Sequence, residues 1–381
     1  MILTLTSGTL KQSTFDKVGA DLSHDTIFLT KGTYTAESPY ELNPGTTITG
    51  DTAIIKLISN APTSDFSQLV PIFHCTGSNF LFENITFDGN KDNQKVGHGK
   101  GYHNFIGANK ASNITIKNLT MRNSQGDGAR LTDSKNILFE NNNLTKLGHD
   151  GLYVDRCTDV TASNNTIYTR ANSGLRCKGS HAVTFKDNTI YGTSEAYAPG
   201  MQIENSKADE TSSNILIENN SIQDTLGPGI WVAGHTATDL KAASNLIIRN
   251  NTIINCGLMP KENHISGVGG IVADGFNLTL EGNKIENCKG YGILFGKYLT
   301  SSANTGYIAL LKNNSIKNTQ KNNVGTGGID IFNEGKYVLS YDEAKQSYIV
   351  VGCSEGESEE MRTKVKEVTD NEVSILKKVN L

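Results

Sequence analysis

Several features that commonly identify a protein class are missing from this sequence of 381 residues. No stretch approaches the roughly 18 consecutive apolar residues of a membrane-spanning helix, so we expect no membrane span. The first residues, MILTLTSGTLKQ, lack the basic start, apolar run and small-residue cleavage site of a signal peptide, so we expect none in this chain. The formal net charge of −4 is mild and argues against a nucleic-acid partner.

The six cysteines include no CxxC pair, so the sequence has none of the usual zinc and redox motifs. We expect buried thiols. Cys256 and Cys288 are separated by one repeat of the pattern described below, so we expect them to be neighbours. The sequence leaves open a disulfide between these two residues.

Glycine is abundant, at 38 residues, whereas hydrophobic residues make up only 36% of the chain. This composition favours short strands and tight turns over a large helical core. A short β-like run, an asparagine and a second short run recur, as in NILFENNNLTKL from 136 and NLIIRNNTIIN from 245. The asparagines recur first in two equal short steps and then in four longer steps that are nearly equal. The series is Asn142, Asn165, Asn188, Asn220, Asn251, Asn283 and Asn314.

A second series precedes these pieces, in which a glycine is followed by alternating residues. Examples are GLYVDR from 151, GLRCKG from 174 and GIDIFN from 328. Three short strands per repeat predict an all-β fold, a single-stranded right-handed parallel β-helix of about 10–13 coils with terminal caps. The asparagines should form a ladder along the helix axis, each in the left-handed turn conformation that asparagine tolerates.

We interpret the chain as one repeat domain with caps. Residues 1–334 are assigned to the β-helix with its N-terminal cap, where STFDKVGADL is compatible with a short helix over the open end. Residues 335–381 break the repeat pattern and are assigned to a C-terminal cap, in which GESEEMRTKVKEVTD is compatible with a helix. Repeat arrays need such caps to cover the edges of their terminal strands.

Strand alternation divides the glycine series into inward and outward side chains. In GLRCKG, Leu175 and Cys177 should point into the core and Arg176 and Lys178 to solvent. The outward positions of successive coils should form one face. It includes Arg130, Tyr153, Asp155, Arg176, Lys178, Gln202, Glu204, Trp231, Val272, Leu294 and Asp330.

The turns before these strands add His103, Asp127, His149 and Asp150. Asp127 and Asp150 occupy the same slot in consecutive coils, so their backbones should lie about 4.8 Å apart. Asp-Gly is a common turn dipeptide, and either aspartate alone is more often structural. The coincidence of so many ionic and aromatic groups on one face favours a functional site.

The sequence resembles the right-handed β-helix superfamily of polysaccharide-active enzymes, with the pectate-lyase-like fold. Polygalacturonase-type hydrolases carry similar aspartates before glycine and an Arg-X-Lys pair, here Asp127, Asp150 and Arg176/Lys178. Their Gly-His-Gly coil is missing here, and Arg-X-Lys comes one coil early. The run GDGARL, GHDGLYV, TRANSGLRCKGSH, APGMQIE and GPGIWVAG is more similar to disaggregatase-related β-helix proteins of methanogenic archaea. That resemblance implies cleavage of a chondroitin-like matrix polysaccharide.

The first functional hypothesis is therefore an enzyme that cleaves an acidic, uronate-containing glycan. Asp127 and Asp150 would serve as acid and base in hydrolysis. In β-elimination, a cation would neutralise the uronate and His149, Tyr153 or Lys178 would take the C5 proton. The predicted catalytic residues are Asp127, His149, Asp150, Arg176 and Lys178. The predicted substrate-binding residues are His103, Arg130, Tyr153, Asp155, Gln202, Glu204, Trp231 and His235.

The second hypothesis is a non-catalytic glycan-binding β-helix, such as a viral tail protein or a cell-surface adhesin. Both hypotheses predict an acidic polysaccharide partner, an extracellular, cell-surface or virion-associated location, and a monomer or homotrimer. No cofactor is required for hydrolysis, and calcium would accompany a lyase. The sequence does not choose between hydrolysis and elimination, although the paired aspartates favour hydrolysis.

Overall fold

The computed structural model describes most of the chain up to residue 353, with gaps. The described ranges are 1–61, 70–95, 103–169, 172–192, 198–205, 211–234, 243–258, 268–273, 275–295, 308–319, 321–326, 329–331, 336–342 and 347–353. The chain divides into two compact units, Met1–Gly174 and Leu175–Leu381. His235 and the predicted C-terminal helix lie outside the described residues.

The first unit contains strands of 2 to 19 residues and two short helices, α1 (Gln12–Phe15) and a 3-10 helix (Lys91–Asn93). Its strands are β1 (Ile2–Leu5), β2 (Gly8–Thr9), β3 (Thr26–Leu29), β4 (Gly32–Ala36), β5 (Tyr40–Leu42), β6 (Thr47–Leu57), β7 (Val70–Asp88), β8 (His103–Lys117), β9 (Thr120–Arg122), β10 (Ala129–Thr132), β11 (Lys135–Glu140), β12 (Asn143–Leu147), β13 (Leu152–Asp155), β14 (Thr158–Ser163) and β15 (Thr166–Thr169).

The second unit is also built from strands. They are β16 (Leu175–Lys178), β17 (His181–Lys186), β18 (Thr189–Tyr191), β19 (Met201–Asn205), β20 (Ser213–Glu218), β21 (Ser221–Gln223), β22 (Ile230–Gly234), β23 (Ala243–Arg249), β24 (Thr252–Ile254), β25 (Val268–Ala273), β26 (Gly275–Glu281), β27 (Lys284–Glu286), β28 (Tyr291–Phe295), β29 (Ile308–Lys312), β30 (Ser315–Lys317), β31 (Lys321–Thr326), β32 (Ile329–Ile331), β33 (Lys336–Asp342) and β34 (Ser347–Cys353).

Within each unit, corresponding strands of consecutive coils pair in parallel. In the first unit Gly107 lies opposite Arg130, and Arg130 opposite Tyr153, so these two equal intervals are each one coil. In the second unit Arg176 lies opposite Gln202, and Gln202 opposite Trp231. Three strands per coil and parallel stacking confirm the predicted right-handed parallel β-helix.

The core confirms the predicted inward register. Leu131, Val154, Cys177 and Ile203 are fully buried. Fully burying a Leu, Ile or Val side chain contributes roughly 1.5–3 kcal/mol, so a register slip of one residue would be costly. Phe15 of α1 is also buried, as expected for a helix that covers the core at the N-terminal end.

Asparagine ladders run along the interior of both units. In the first unit, the backbone N–H and side-chain amide of Asn142 both donate to Asn165 Oδ1, at 2.9 and 3.0 Å. In the second unit, Asn188, Asn220, Asn251, Asn283 and Asn314 repeat this arrangement from coil to coil. The ladder is confirmed, but its assignment to the left-handed conformation was wrong. The preceding residues adopt it, for example Asn141 (φ 54°) and Asn219 (φ 56°).

Two further expectations are corrected near the end of the described chain. GIDIFN does not supply the next parallel strand, because β31 pairs with β28 in that position and β32 returns antiparallel to β31. The predicted outward position of Asp330 therefore does not belong to the parallel stack. The described part of the C-terminal cap is an antiparallel hairpin of β33 and β34. Strand β33 also pairs antiparallel with β29 and covers the edge of that strand.

The cysteines match the predicted interior positions. Cys75, Cys157, Cys177, Cys256 and Cys288 are buried and form no disulfide. Cys256 and Cys288 follow neighbouring strands, and the N–H of Lys289 donates to the Cys256 carbonyl at 3.1 Å. Among the described residues, no helix has the length and hydrophobicity needed to cross a membrane.

Candidate active site

A ladder of side-chain oxygens lies just before strands β10 and β13 in the first unit. Asn104 Oδ1 accepts the N–H of Asp127 at 2.7 Å, and Asp127 Oδ1 accepts the N–H of Asp150 at 2.8 Å. Asp150 Oδ1 then accepts the N–H of Ser173 at 2.8 Å. The predicted shared slot of Asp127 and Asp150 is thus confirmed. Because the amide of Asn104 serves this ladder equally well, the ladder does not require the charges of the two aspartates.

His149 lies between these two aspartates. Its Nδ1 is 2.6 Å from Asp127 Oδ1 and 3.2 Å from Asp150 Oδ2. An ionised carboxylate only accepts hydrogen bonds, so Nδ1 carries a hydrogen. The amide nitrogen Asn172 Nδ2 lies 3.1 Å from Nε2 and can only donate, so Nε2 is the acceptor in this contact. The imidazole is 13% exposed, whereas both carboxylates are fully buried.

The charge of Asp127 is stabilised by its neighbours. Burial raises the pKa of this carboxyl, but His149, Arg130 and the N–H of Asp150 outweigh it and hold the pKa below its ordinary value. Asp127 Oδ2 accepts no hydrogen bond from the described residues. The nearest cationic group is Arg130 Nη1, at 4.0 Å. Asp127 is therefore ionised near neutral pH and suited to orienting His149.

Arg130 presents its charge beside this cluster. Its guanidinium lies 4.4 Å from the centroid of the Tyr153 ring and the side chain is 28% exposed. Cation–π contacts of this kind hold an arginine in place without neutralising it. The other described arginines are hydrogen-bonded to carboxylates, as in the pairs Arg122–Asp88, Arg156–Asp133, Arg176–Glu204 and Arg249–Glu218. Within the described ranges, Arg130 alone lacks a carboxylate at hydrogen-bonding distance.

The remaining predicted site residues of the first unit are less accessible than expected. Tyr153 and Asp155 are buried, and Asp155 accepts a hydrogen bond from Arg156 at 3.0 Å. His103 is buried as well, and burial lowers its pKa, so its ring is neutral. The prediction that Tyr153 and Asp155 face solvent is wrong, because long side chains on strands about 4.8 Å apart cover one another.

In the second unit, the predicted catalytic residue Arg176 already pairs with a carboxylate of the protein. Arg176 Nε donates to Glu204 Oε1 at 2.8 Å, and Gln202 Nε2 donates to Glu204 Oε2 at 2.8 Å. Gln202 and Glu204 are buried rather than solvent-facing as predicted, whereas Arg176 and Lys178 are partly exposed.

Trp231 belongs to an apolar cluster of the second unit. It is partly buried and packs with Tyr291 against Val272 and Leu294. Val272 and Leu294 are themselves buried, which also departs from the predicted solvent-facing register.

Asn172, which contacts the catalytic candidate His149, was not among the predicted site residues. The repeat contained the signal, because Asn172 follows His149 by the same interval that separates Asp150 from Asp127. Asn172 therefore occupies the position of His149 in the next coil. The spacing identifies the slot, but it does not reveal that the asparagine amide would point at the imidazole.

Asp127, His149 and Asp150 are also the residues best placed to hold a metal ion in the described part of the chain. Their possible ligand atoms lie within 4.8 Å of one another. Calcium prefers a shell of oxygen ligands. Two carboxylates and one imidazole suit a transition metal such as zinc or manganese better. The expectation of calcium for a lyase stays a prediction.

Two family descriptions match parts of the chain. "Right handed beta helix region" matches residues 104–239, and "Disaggregatase related" matches residues 212–359. These matches confirm the resemblance drawn from the repeats. No curated protein sequence matches the chain significantly.

Solved structures with the same fold include an enzyme module and an adhesin. The A-module of the Azotobacter vinelandii mannuronan C-5 epimerase AlgE6 is 19% identical, with a TM-score of 0.59 over 77% of this chain and 79% of that chain. PfbA, a surface adhesin of Streptococcus pneumoniae, is 14% identical, with a TM-score of 0.59 over 90% and 94%. These likenesses establish the fold, which is compatible with both catalysis and binding.

Proposed function

We propose that this protein cleaves an acidic, uronate-containing polysaccharide by β-elimination, with His149 as the base and Arg130 as the group that holds the uronate carboxylate. The observation that carries the proposal is the environment of Arg130. It is a partly exposed guanidinium without a hydrogen-bonded carboxylate, 4.0 Å from Asp127 Oδ2. The same aspartate orients the His149 imidazole together with Asp150. A cation beside an oriented base suits removal of a proton next to a carboxylate.

The same geometry favours elimination over hydrolysis by the paired aspartates. Both carboxylates are fully buried and hydrogen-bonded to backbone N–H groups. His149 contacts both of them, which leaves no room for the water that inverting hydrolysis places between carboxyl groups roughly 6.5–9.5 Å apart. Asp127, with its lowered pKa, is also a poor proton donor.

In the proposed reaction, Arg130 forms charge-assisted hydrogen bonds with the C6 carboxylate and stabilises the negative charge that develops on it. His149 Nε2 takes the C5 proton, and the electrons of the C5–H bond form the C4–C5 double bond. The C4–O4 bond breaks, and the leaving oxygen takes a proton from water. Asn172 must release Nε2 when the substrate binds. Asp127 and Asp150 then stabilise the imidazolium that forms.

The match to the disaggregatase-related description supports a matrix polysaccharide, chondroitin-like, as the first substrate to test. Such a substrate lies outside the cell or at its surface, which is where we propose that the protein acts. The competing candidate is glycan binding without cleavage. Because a surface adhesin shares the fold, the experiment must also detect binding without cleavage.

The test uses chondroitin-type and pectin-type polysaccharides, with and without a chelator. New reducing ends are measured together with the ultraviolet absorbance of unsaturated uronate. Elimination predicts both signals, and loss of both with chelator would indicate a required metal ion. Reducing ends without the absorbance would indicate hydrolysis instead. Glycan binding with neither signal would indicate a binding protein.

A further inference from the structure

The outward column that contains Arg130 continues through earlier coils of the first unit. Strand registers place Glu41 opposite His74, His74 opposite Gly107, and Gly107 opposite Arg130. His74 therefore lies two coils before Arg130 on the same column, at a backbone separation of about 10 Å. His74 is not among the residues predicted to form the site.

His74 is oriented in the same way as the proposed base. Its Nδ1 is 2.8 and 3.0 Å from the two carboxylate oxygens of Glu41. Nδ1 therefore donates, and in the neutral ring Nε2 has the lone pair. Unlike His149 Nε2, His74 Nε2 has no hydrogen-bond partner among the described residues. The His74 side chain is 29% exposed.

Stability does not explain this pair. Glu41 is 61% exposed, and exposed ion pairs typically contribute at most about 1 kcal/mol. The pair does fix the direction of the imidazole, which leaves an acceptor nitrogen on the face that carries Arg130.

No side chain separates His74 from Arg130 in this column, because the intervening residue is Gly107. A Cβ at Gly107 would lie 2.8 Å from Pro71 Cβ, so the proline ring occupies that space. Pro71 is partly exposed. An acceptor nitrogen, an apolar ring and a guanidinium thus follow one another along the first unit. A sugar offers matching groups, namely a hydroxyl, a C–H face and a carboxylate.

We propose that His74, oriented by Glu41, forms with Pro71 a second glycan subsite that accepts a hydrogen bond from a hydroxyl of the sugar next to the one held by Arg130. This inference rests on the proposed function in one respect, because both subsites bind the same acidic chain. His74 is a positioning residue, since it lies too far from His149 to act on the same sugar.

The experiment measures the affinity of purified protein for chondroitin-type oligosaccharides of increasing length, by calorimetry. All variants carry His149→Ala, so that binding is measured without turnover. We expect His74→Ala to weaken binding of long oligosaccharides about threefold to tenfold, the value of one hydrogen bond, and to leave the shortest unchanged. His74→Gln, which keeps an acceptor, should recover part of the loss.

His181→Ala is the matched control, because His181 is an exposed histidine on β17 in the second unit, bonded to Ser213. It should bind all lengths like the parent protein. Melting temperatures identify any variant that fails to fold. Equal affinities of the parent protein and His74→Ala at every length would overturn the subsite, and so would an equal loss at every length.

The two proposals fail in different ways. Wild-type protein that binds long chains but does not cleave them would contradict the elimination reaction. The His74 subsite would then still stand or fall by the length dependence. A parent protein that binds no acidic oligosaccharide of any length would overturn both proposals.

Discussion

Asp127 combines two roles that a single substitution can separate. Its Oδ1 accepts a backbone N–H in the ladder, and its charge holds His149. Asp127→Asn keeps an acceptor, as Asn104 shows, but removes the charge. We expect Asp127→Asn to fold and to lose roughly 100-fold or more in kcat, the usual range for disturbed acid–base catalysis. Steady-state kinetics and thermal melting measure the two effects.

Asp127→Ala is the companion variant, since it removes both the ladder acceptor and the charge. It should lower stability as well as activity. If Asp127→Asn were as active as wild type, the carboxylate would serve only the ladder.

The lowered pKa of Asp127 also predicts how stability depends on pH. Its ordinary value is 3.8, and in the folded protein the pKa lies below that. The stabilisation it provides is therefore complete above about pH 4 and disappears as the pH falls through the folded pKa. Denaturant unfolding between about pH 2 and 6 should show a steeper acid loss for wild type than for Asp127→Asn. Parallel curves for the two proteins would contradict this assignment.

Arg130 and Arg176 should respond differently to the same substitution. Arg130→Gln removes a cation that forms no hydrogen bond to a carboxylate, although its charge helps to stabilise ionised Asp127. We expect kcat/KM to fall about tenfold to 100-fold and stability to fall by about 1 kcal/mol. Arg176→Gln leaves the buried Glu204 without its cation and should cost about 1–3 kcal/mol, with a smaller loss of activity. The reverse pattern would support the catalytic role that the sequence predicts for Arg176.

At the scale of the strand and turn, the buried asparagines stabilise neighbouring coils. Asn220 accepts the N–H of Asn188 and donates to the Phe185 carbonyl and to Asn251. Asn220→Ala leaves these groups buried without partners, so we expect a loss of at least about 2 kcal/mol in denaturant unfolding.

Asn136→Gly is the control for the ladder. Asn136 is exposed, has a φ of 56° and bonds only to Asn113 at the surface. Glycine accepts this φ, and the change should stay within about 0.5 kcal/mol. Equal losses at the two positions would mean that burial does not set the strength of the ladder.

The strands and the buried ladder could be predicted because each is a local repeat with a strict period. Alternation after glycine predicted that Leu175 and Cys177 are core residues, and both are buried. The spacing of the asparagines predicted the ladder. The left-handed residue was misplaced by one position because NN pairs give no signal for which asparagine turns. GIDIFN has the same alternation as a parallel strand, and only its antiparallel pairing with β31 distinguishes it.

At the scale of the whole molecule, the repeat predicted which residues share a position in consecutive coils, but not whether their side chains are buried or paired. The shared slot of Asp127 and Asp150 followed from the repeat. The ion pair of Arg176 with Glu204 could not be predicted from the repeat, because it depends on which charged side chains meet between coils. The periodicity also does not indicate that Arg130 lies over the Tyr153 ring and stays partly exposed.

In the proposed reaction, His149 acts as the base of an elimination on a uronate polysaccharide. The most direct test follows unsaturated-uronate absorbance and reducing ends in parallel for wild type and His149→Ala. We predict that wild type produces both signals in proportion, and that His149→Ala folds but loses both by about 100-fold or more. Reducing ends without absorbance in wild type, or unchanged absorbance in His149→Ala, would contradict the account.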